Sequence, residues 1–498
     1  MALRGTNCPS GAEPRSAFDT DRPASFYDQA PHKAHLTMTQ QSLFAAHAFL
    51  PDGWCRNVLL QWDSNGTITA ITPDTSAPAD VPHAAGPVLP GMPNLHSHAF
   101  QRAMAGLTEY RANATDTFWS WRDLMYRFAA RITPDQLAAI ARWLYVEMLK
   151  AGYTSVCEFH YVHHAEDGAP YASVAELAQR VVGAAHETGI GMTMLPVLYQ
   201  YSGFGAKPAR EDQRRFINTP ERLLALLDGL RRACPEQAGL RYGVAPHSLR
   251  AVSEASLREV LEGLDAHFPA APVHIHIAEQ TAEVHACLAT EGARPVQWLL
   301  DGFDVDARWC LVHATHVDAN EVESLAKRGA VAGLCLTTEA NLGDGIFPAH
   351  DYLAAGGRFG VGSDSHIAVD WRAELRLLEY GQRLARRERN VLASAQVTHV
   401  ADRLFADALA GGAQATGRAV GALEVGRRAD CIVLDGEHAS IAGHEPRAWL
   451  SGVVFCEHGE SPVRDVYAGG AKVVENRRHR DEQEAYARYR AALAALLQ

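Results

Sequence analysis

Histidine is the residue type from which chemistry can be sought first. The chain carries 24 of them, several in close pairs: His96/His98 in PGMPNLHSH, His274/His276 in PVHIHIAE and His313/His316 in WCLVHATH. In an extended strand, residues two apart point the same way, so both imidazoles of an H-x-H pair face one point and can share a metal ion. One such pair alone is weak grounds, because polar residues also end strands without any ion. A further segment, RFGVGSDSH, adds Asp364 beside His366. Nitrogen and oxygen donors without thiolates suit a catalytic zinc or a similar first-row ion that keeps an open position for water.

Such donors need a scaffold that brings distant segments to one place. Between about Val88 and Ala415, strand-like apolar runs alternate with amphipathic helical stretches. Eight runs stand out: VLPGMPNLHSH, TSVCEFH, GIGMTMLPVLY, LRYGVAPH, PVHIHIAE, WCLVHATH, AVAGLCLTTEAN and RFGVGSDSH. Eight strand–helix units predict an α/β protein built on a (β/α)₈ TIM-type barrel. Polar residues gather at the C-terminal ends of these runs, the face on which barrel enzymes build their sites. Donors from runs one, five, six and eight then converge on one barrel mouth. The first interval is too long for one unit and leaves a loop with helical pieces, Phe100 to Arg131, near that mouth.

Outside the barrel the texture changes. LFAAHAFL, NVLLQWD and ITAITP read as short alternating strands separated by PDG and SNG turns. GALEVGRRADCIVLDG, LSGVVFCE, VRDVYAGG and AKVVEN repeat that texture near the other end. One small β-sandwich built from both chain ends follows, with residues 38–87 as its first part and 416–476 as its second. The barrel takes 88–415, and residues 477–498 are expected as a C-terminal helix. Residues 1–37, rich in Pro, Ala, Ser and charge without a period, are expected as a disordered extension, with Met38 as the start of the folded protein.

Composition removes several function classes. With 46 basic and 58 acidic side chains, the formal charge is -12, the wrong sign for binding nucleic acid through a general basic field. No stretch reaches the ~18 apolar residues of a spanning helix, and the N-terminus lacks the apolar core of a signal peptide, so no membrane association and a cytoplasmic location are expected. The nine cysteines are odd in number and contain no C-x-x-C pair. Free, mostly buried thiols are therefore expected rather than disulfides or a zinc knuckle.

The order PGMPNLHSH, an H-x-x-E strand, LVHATH and GSDSH resembles the amidohydrolase superfamily in its mononuclear deaminase branch. Six further segments, HSHAFQRAMAGLTE, FWSWRDLMYRFA, EFHYVHH, APHSLRAV, HIHIAEQ and TTEANLGDGIFP, resemble the formimidoylglutamate deiminases, over roughly Met38 to Asn476. One departure is Leu336, where that family pattern leads one to expect proline before Thr-Thr-Glu-Ala-Asn. The resemblance implies one Zn²⁺ per chain, held by His96, His98, His276 and Asp364. Runs three and four contain no lysine of the kind that binuclear relatives carbamylate. By the family spacing His274 is a packed layer residue rather than a ligand.

The implied reaction is hydrolysis of N-formimino-L-glutamate to N-formyl-L-glutamate and ammonia, as in histidine degradation. It needs a water made nucleophilic at neutral pH and a proton for the leaving nitrogen. Glu279, three residues after His276, is placed to shuttle protons, and His313 and Asp364 can accept the water proton. Two substrate carboxylates call for guanidinium forks. The resemblance assigns them to Arg122 and Arg250, with Gln101 and Tyr161 completing the substrate site. His247 either hydrogen-bonds substrate or caps the fourth strand. A homodimer is expected. The alternative is a related deaminase of a nucleobase or S-adenosylhomocysteine-like compound, which would share the metal and Glu279 but recognise a flat ring. A catalytically silent, assembly-forming relative of the dihydropyrimidinase type is disfavoured by retention of all four ligands with Glu279 and His313.

Overall fold

In the computed structural model, residues 41–109, 118–456 and 459–498 are described. The expected extension, residues 1–37, lies outside them. Eight parallel strands make the barrel in two arcs. One arc pairs Met92–Ser97, Tyr153–His160, Gly191–Leu198 and the short Leu240–Tyr242, continued by Ala245–Pro246. The other pairs Val273–Ile277, Trp309–His313, Val331–Leu334 and Arg358–Val361. Parallel bridges Val244↔Val273 and Ser248↔His276 join the arcs on one side, and Ser97↔Asp364 closes the ring on the other. Nearly every residue of these strands is buried. Burial on both faces is why they read as continuous apolar runs rather than as alternating ones.

Helices fill the connections where the sequence supplies stops and starts. Pro134–Ala151 begins in a capping box from Thr133 and Gln136 with proline in its first turn. It ends at Gly152, whose φ of 97° is open to glycine at little cost. Phe118–Ala129 occupies part of the long first connection. The seventh run departs from its reading as a strand: only Val331–Leu334 is extended, and Leu336–Leu342 is a helix capped by Gly343. Leu336 is thereby the first helical residue. Proline is well suited to that position, and leucine forms helices readily too, so the departure from the family pattern leaves the element intact.

Strands from both chain ends share one eight-stranded sheet. Its order is Arg478–His479, Ala471–Glu475, Val463–Ala468, Cys431–Leu434, Val88–Pro90, Gln41–Leu50, Gly53–Trp62, Ile68–Thr72. Leu43, Val58, Leu60, Trp62, Ile68 and Val88 pack with Leu423, Cys431 and Val433 in a core of their own. Val88–Pro90 lies inside this sheet, and Met92 two residues later opens the first barrel strand. Gly91 sits between them, where a Cβ would come within 2.2 Å of the Thr154 hydroxyl. The helix Glu482–Leu496 follows the last strand. Among the described residues no helix is long and apolar enough to cross a membrane, and the eight described cysteines are all free.

Candidate functional site

The first barrel strand ends in His96-Ser97-His98, and two side chains, Asn94 on that strand and Glu158 on the next, hold its end in place. Asn94 donates to Ser363 Oγ at 2.7 Å and accepts the Ser363 N–H at 3.1 Å, tying strand one to strand eight. Glu158, buried on strand two, accepts bonds from Ser97 Oγ at 2.7 Å, Ala99 N at 2.7 Å and Tyr145 OH at 3.1 Å. Burial pushes its carboxyl up to about 7 against the pull of those donors.

Three imidazole nitrogens meet above this floor. His96 Nε2 lies 3.1 Å from His98 Nε2 and 3.0 Å from His276 Nε2, and the last two are 3.3 Å apart. Asp364 Oδ1 is 3.3 Å from both His96 Nε2 and His98 Nε2. The ring orientations are fixed from behind: His98 Nδ1 donates to Phe159 O at 2.9 Å, and His276 Nδ1 donates to His247 O at 3.0 Å. With Nδ1 carrying the hydrogen, the inward Nε2 atoms present lone pairs to one another, which repel unless a cation sits between them. Burial, reinforced by the neighbouring imidazoles, holds His96 and His276 well below the ordinary histidine value, and burial lowers His98 as well. Three neutral nitrogens and a carboxylate are a donor set for zinc. A tetrahedron with arms of about 2.0–2.1 Å has edges of about 3.3–3.4 Å, close to the spacings here. His313, Cys335 and Asp364 also come together, and burial raises the Cys335 thiol well above its ordinary value.

The other expected histidines lie elsewhere. His274 Nε2 faces Ala415 O at 2.9 Å, away from the cluster. His316 departs from the expected convergence of run six: the strand stops at His313, the chain turns through positive φ at His313 (68°) and Ala314 (48°), and His316 Nε2 binds Asp344 O at 2.8 Å. His366 is held by Ser363 Oγ at 3.0 Å and Ser97 Oγ at 3.3 Å. Positive φ recurs at Ala278 (51°), Asp364 (46°) and His366 (62°), so five residues at the barrel mouth adopt a conformation that L-residues avoid. Strain of this kind collects where side chains must be aimed rather than merely packed.

Beside the cluster lie the groups able to move protons. His313 Nε2 is 3.7 Å from Glu279 Oε1 and 3.9 Å from Asp364 Oδ2, and its Nδ1 is 3.3 Å from Glu339 Oε1. Burial opposes the charged ring, but Glu279, Glu339 and Asp364 outweigh it and push His313 up to about 10. Burial pushes the Glu279 carboxyl up, while His313 and Arg250 pull it back. Arg250 reaches Glu279 Oε2 at 3.6 Å and Glu283 Oε2 at 3.8 Å. Glu283 in turn accepts the Ala278 and Glu279 N–H groups at 3.3 and 3.2 Å, fixing the turn that carries Glu279.

One pocket is lined by His98, His276, Glu279, His313 and Asp364 together with Gln101, Arg122, Tyr161, His247 and Arg250. Gln101 Nε2 donates to Tyr161 OH at 2.8 Å. The Arg122 guanidinium lies 5.5 Å from the centre of the Tyr126 ring, on the same helix. His247 follows strand four; its carbonyl accepts from His276 Nδ1, and its ring lines the pocket. Sequence reasoning missed Tyr126, Tyr199, Glu283 and Glu339. Tyr199 ends run three just as the chosen residues end theirs, Tyr126 lies four residues after Arg122, and Glu283 four after Glu279. Glu339 carried no such signal, because its segment read as a strand.

Residues 88–470 match the family model described as "Amidohydrolase family", and residues 40–84 match that described as "Formimidoylglutamate deiminase HutF, N-terminal domain". The formimidoylglutamate deiminase of Pseudomonas aeruginosa is 53% identical over 92% of this chain and 99% of its own length. A 5-methylthioadenosine/S-adenosylhomocysteine deaminase of Natronomonas pharaonis is 28% identical over 78% of this chain and 82% of its own. A crystal structure of an amidohydrolase from Brucella melitensis superimposes with a TM-score of 0.87 at 48% identity, covering 92% of this chain and all of the other. A barrel whose mouth gathers three neutral imidazoles and a carboxylate, with these matches running through almost its whole length, belongs to the amidohydrolase family and within it to the formimidoylglutamate deiminases.

Proposed function

We propose that the protein hydrolyses N-formimino-L-glutamate to N-formyl-L-glutamate and ammonia in histidine degradation, with one zinc ion held by His96, His98, His276 and Asp364. The observation that carries the reading is a pocket of two characters: a metal-type donor cluster and Glu279 line it, together with two guanidiniums, Arg122 and Arg250. A substrate with a hydrolysable amidine at one end and two carboxylates at the other matches both. The activity for which the 53% identical relative from Pseudomonas aeruginosa is named, formimidoylglutamate deimination, supports the same substrate.

Bound among these ligands, zinc supplies the Lewis acidity that brings water deprotonation within reach of neutral pH. The side chains do the rest. Asp364 accepts the proton released by water, and His313, held charged by the carboxylates around it, stabilises the attacking oxygen, with Glu279 Oε1 3.7 Å from its Nε2. Glu279 delivers a proton to the terminal formimino nitrogen. The carbon keeps the water oxygen as the formyl carbonyl, the C–N bond to that nitrogen breaks, and ammonia leaves: HN=CH–NH–R plus water gives O=CH–NH–R plus NH₃. Arg122 and Arg250 hold the two carboxylates, and Gln101, Tyr161 and His247 complete recognition. The reading includes a homodimer acting in the cytoplasm on a small molecule, without nucleic acid. Its test is ammonia release from N-formimino-L-glutamate set against adenosine and S-adenosylhomocysteine, with metal content measured on the same preparation. Turnover of the linear amidine at one zinc per chain is expected. Turnover of the rings alone overturns the substrate, and full activity requiring two metals overturns the single-ion site.

A further inference from the structure

The short helix Leu336–Leu342 lies behind the groups that move protons, and its buried side chains reach both of the neighbouring strand ends. Thr338 Oγ1 is 3.0 Å from Ser365 Oγ, next to Asp364. Thr337 donates through its N–H and hydroxyl to the buried Glu374, at 3.0 and 2.5 Å, anchoring the helix to Trp371–Arg386. Glu339, 2% exposed, points the other way. Its Oε1 accepts the Cys335 N–H at 2.9 Å and lies 3.3 Å from His313 Nδ1. Its Oε2 is buried without a hydrogen-bond partner. A carboxylate kept only for stability is expected to have both oxygens satisfied, since a buried unpaired acceptor costs free energy. This one is spent on a single backbone donor and a single imidazole.

We propose that Glu339 is a positioning residue for the hydrolysis proposed above, on which this inference rests. By accepting the Nδ1–H of His313 it selects one of the two flipped orientations of that ring and keeps Nε2 directed at Glu279 and Asp364. The need for it follows from the backbone. His313 ends its strand at a φ of 68°, so the ladder that orients side chains within a strand stops there. A ring flipped about its last torsion would send carbon, not nitrogen, toward Glu279 and Asp364. The carboxylate discriminates between the two arrangements because only one presents a donor to it. Partners of this kind, one step behind a reacting group, typically change activity on the order of 10–100-fold when removed.

The test uses the full-length, metal-loaded protein and the variants Glu339→Ala, Glu339→Gln and Thr337→Val, with kcat, KM and metal content measured for each. Ratios to wild type are read on whichever substrate the wild type turns over, so a wrong substrate assignment shows in the wild type itself and not in these ratios. Glu339→Ala is expected to keep its metal and a KM within about threefold while kcat falls about 10–100-fold. Glu339→Gln, whose amide oxygen still accepts the Nδ1–H, should recover most of that loss. Thr337→Val loosens the same helix from its other side and should lower the melting temperature without lowering kcat. The proposal is overturned if Glu339→Ala turns over normally, if it loses metal or raises KM in proportion to the loss in kcat, if Glu339→Gln is no better, or if Thr337→Val lowers kcat equally.

Discussion

Replacing Arg250 by methionine should do two separable things. In the structure its guanidinium lies 3.6 Å from Glu279 and 3.8 Å from Glu283, and the side chain is only 10% exposed. Removing it therefore deprives a substrate carboxylate of its partner and leaves two buried carboxylates without their shared cation. Breaking one side of a buried, hydrogen-bonded charge pair costs about 3–5 kcal/mol. At about 1.4 kcal/mol per decade, kcat/KM should fall by roughly two to nearly four orders of magnitude. The pH profile carries the second effect. Glu279 is already raised by burial and is pulled back by His313 and Arg250. Losing Arg250 raises it further, so the limb of the profile that requires protonated Glu279 should move to higher pH. Arg122→Met serves as the comparison. Arg122 stacks on Tyr126, so its loss should lower kcat/KM without moving that limb. The assay is coupled ammonia release between about pH 5 and 9, with metal content confirmed as unchanged. An Arg250→Met enzyme with normal kcat/KM, or one whose profile matches that of Arg122→Met, would refute the reasoning.

Other outcomes are expected from the same geometry. His276→Ala should lose bound metal by elemental analysis while His274→Ala retains it, because only the former presents a nitrogen to the cluster; the reverse pattern exchanges their roles. Glu279→Gln keeps the side-chain shape but cannot exchange a proton, so metal should stay and kcat should drop about 10²–10⁴-fold, and near-normal turnover removes Glu279 from the chemistry. Gly411→Ala should be destabilising, because the added Cβ would fall 1.8 Å from the Phe359 carbonyl oxygen on the eighth barrel strand; overpacking of this kind costs about 1–3 kcal/mol, and an unchanged melting temperature contradicts the close approach.

The residues that could be read from sequence share a simple physical reason. His96 and His98 are two apart on one strand, and strand alternation alone aims them together. The barrel was visible because each buried strand is a short apolar run that ends in polar residues. What was hidden depends on how the chain turns once a strand stops. His316 lies only three residues past His313, yet two positive-φ residues carry it off to Asp344. Thr337 and Glu339 looked like the tail of a strand because an apolar run does not announce where extension gives way to helix. Arg250 was legible as a carboxylate partner, but its contacts with Glu279 and Glu283 depend on a turn whose geometry no spacing encodes. The alternating texture of the ends was plain where strands form, but LSGVVFCE, read as one of them, lies mostly in the helix Pro446–Phe455, because an apolar run does not distinguish strand from helix, and the seat of Val88–Pro90 between Gln41–Leu50 and Cys431–Leu434 is a matter of long-range pairing.

That seat has a consequence for synthesis. Val88–Pro90 can pair with Gln41–Leu50 as soon as both leave the ribosome, but its other neighbour is encoded about 340 residues later. At about 5–20 residues per second, that edge waits roughly 17 to 70 seconds for its partner. Until then the nascent chain carries an unpaired strand edge joined directly to the first barrel strand, a template for pairing with other chains. Messages truncated anywhere before Cys431 should yield aggregates rather than partly active fragments. Expression should therefore depend more on chaperones that shield emerging strands than on the final stability of the completed protein.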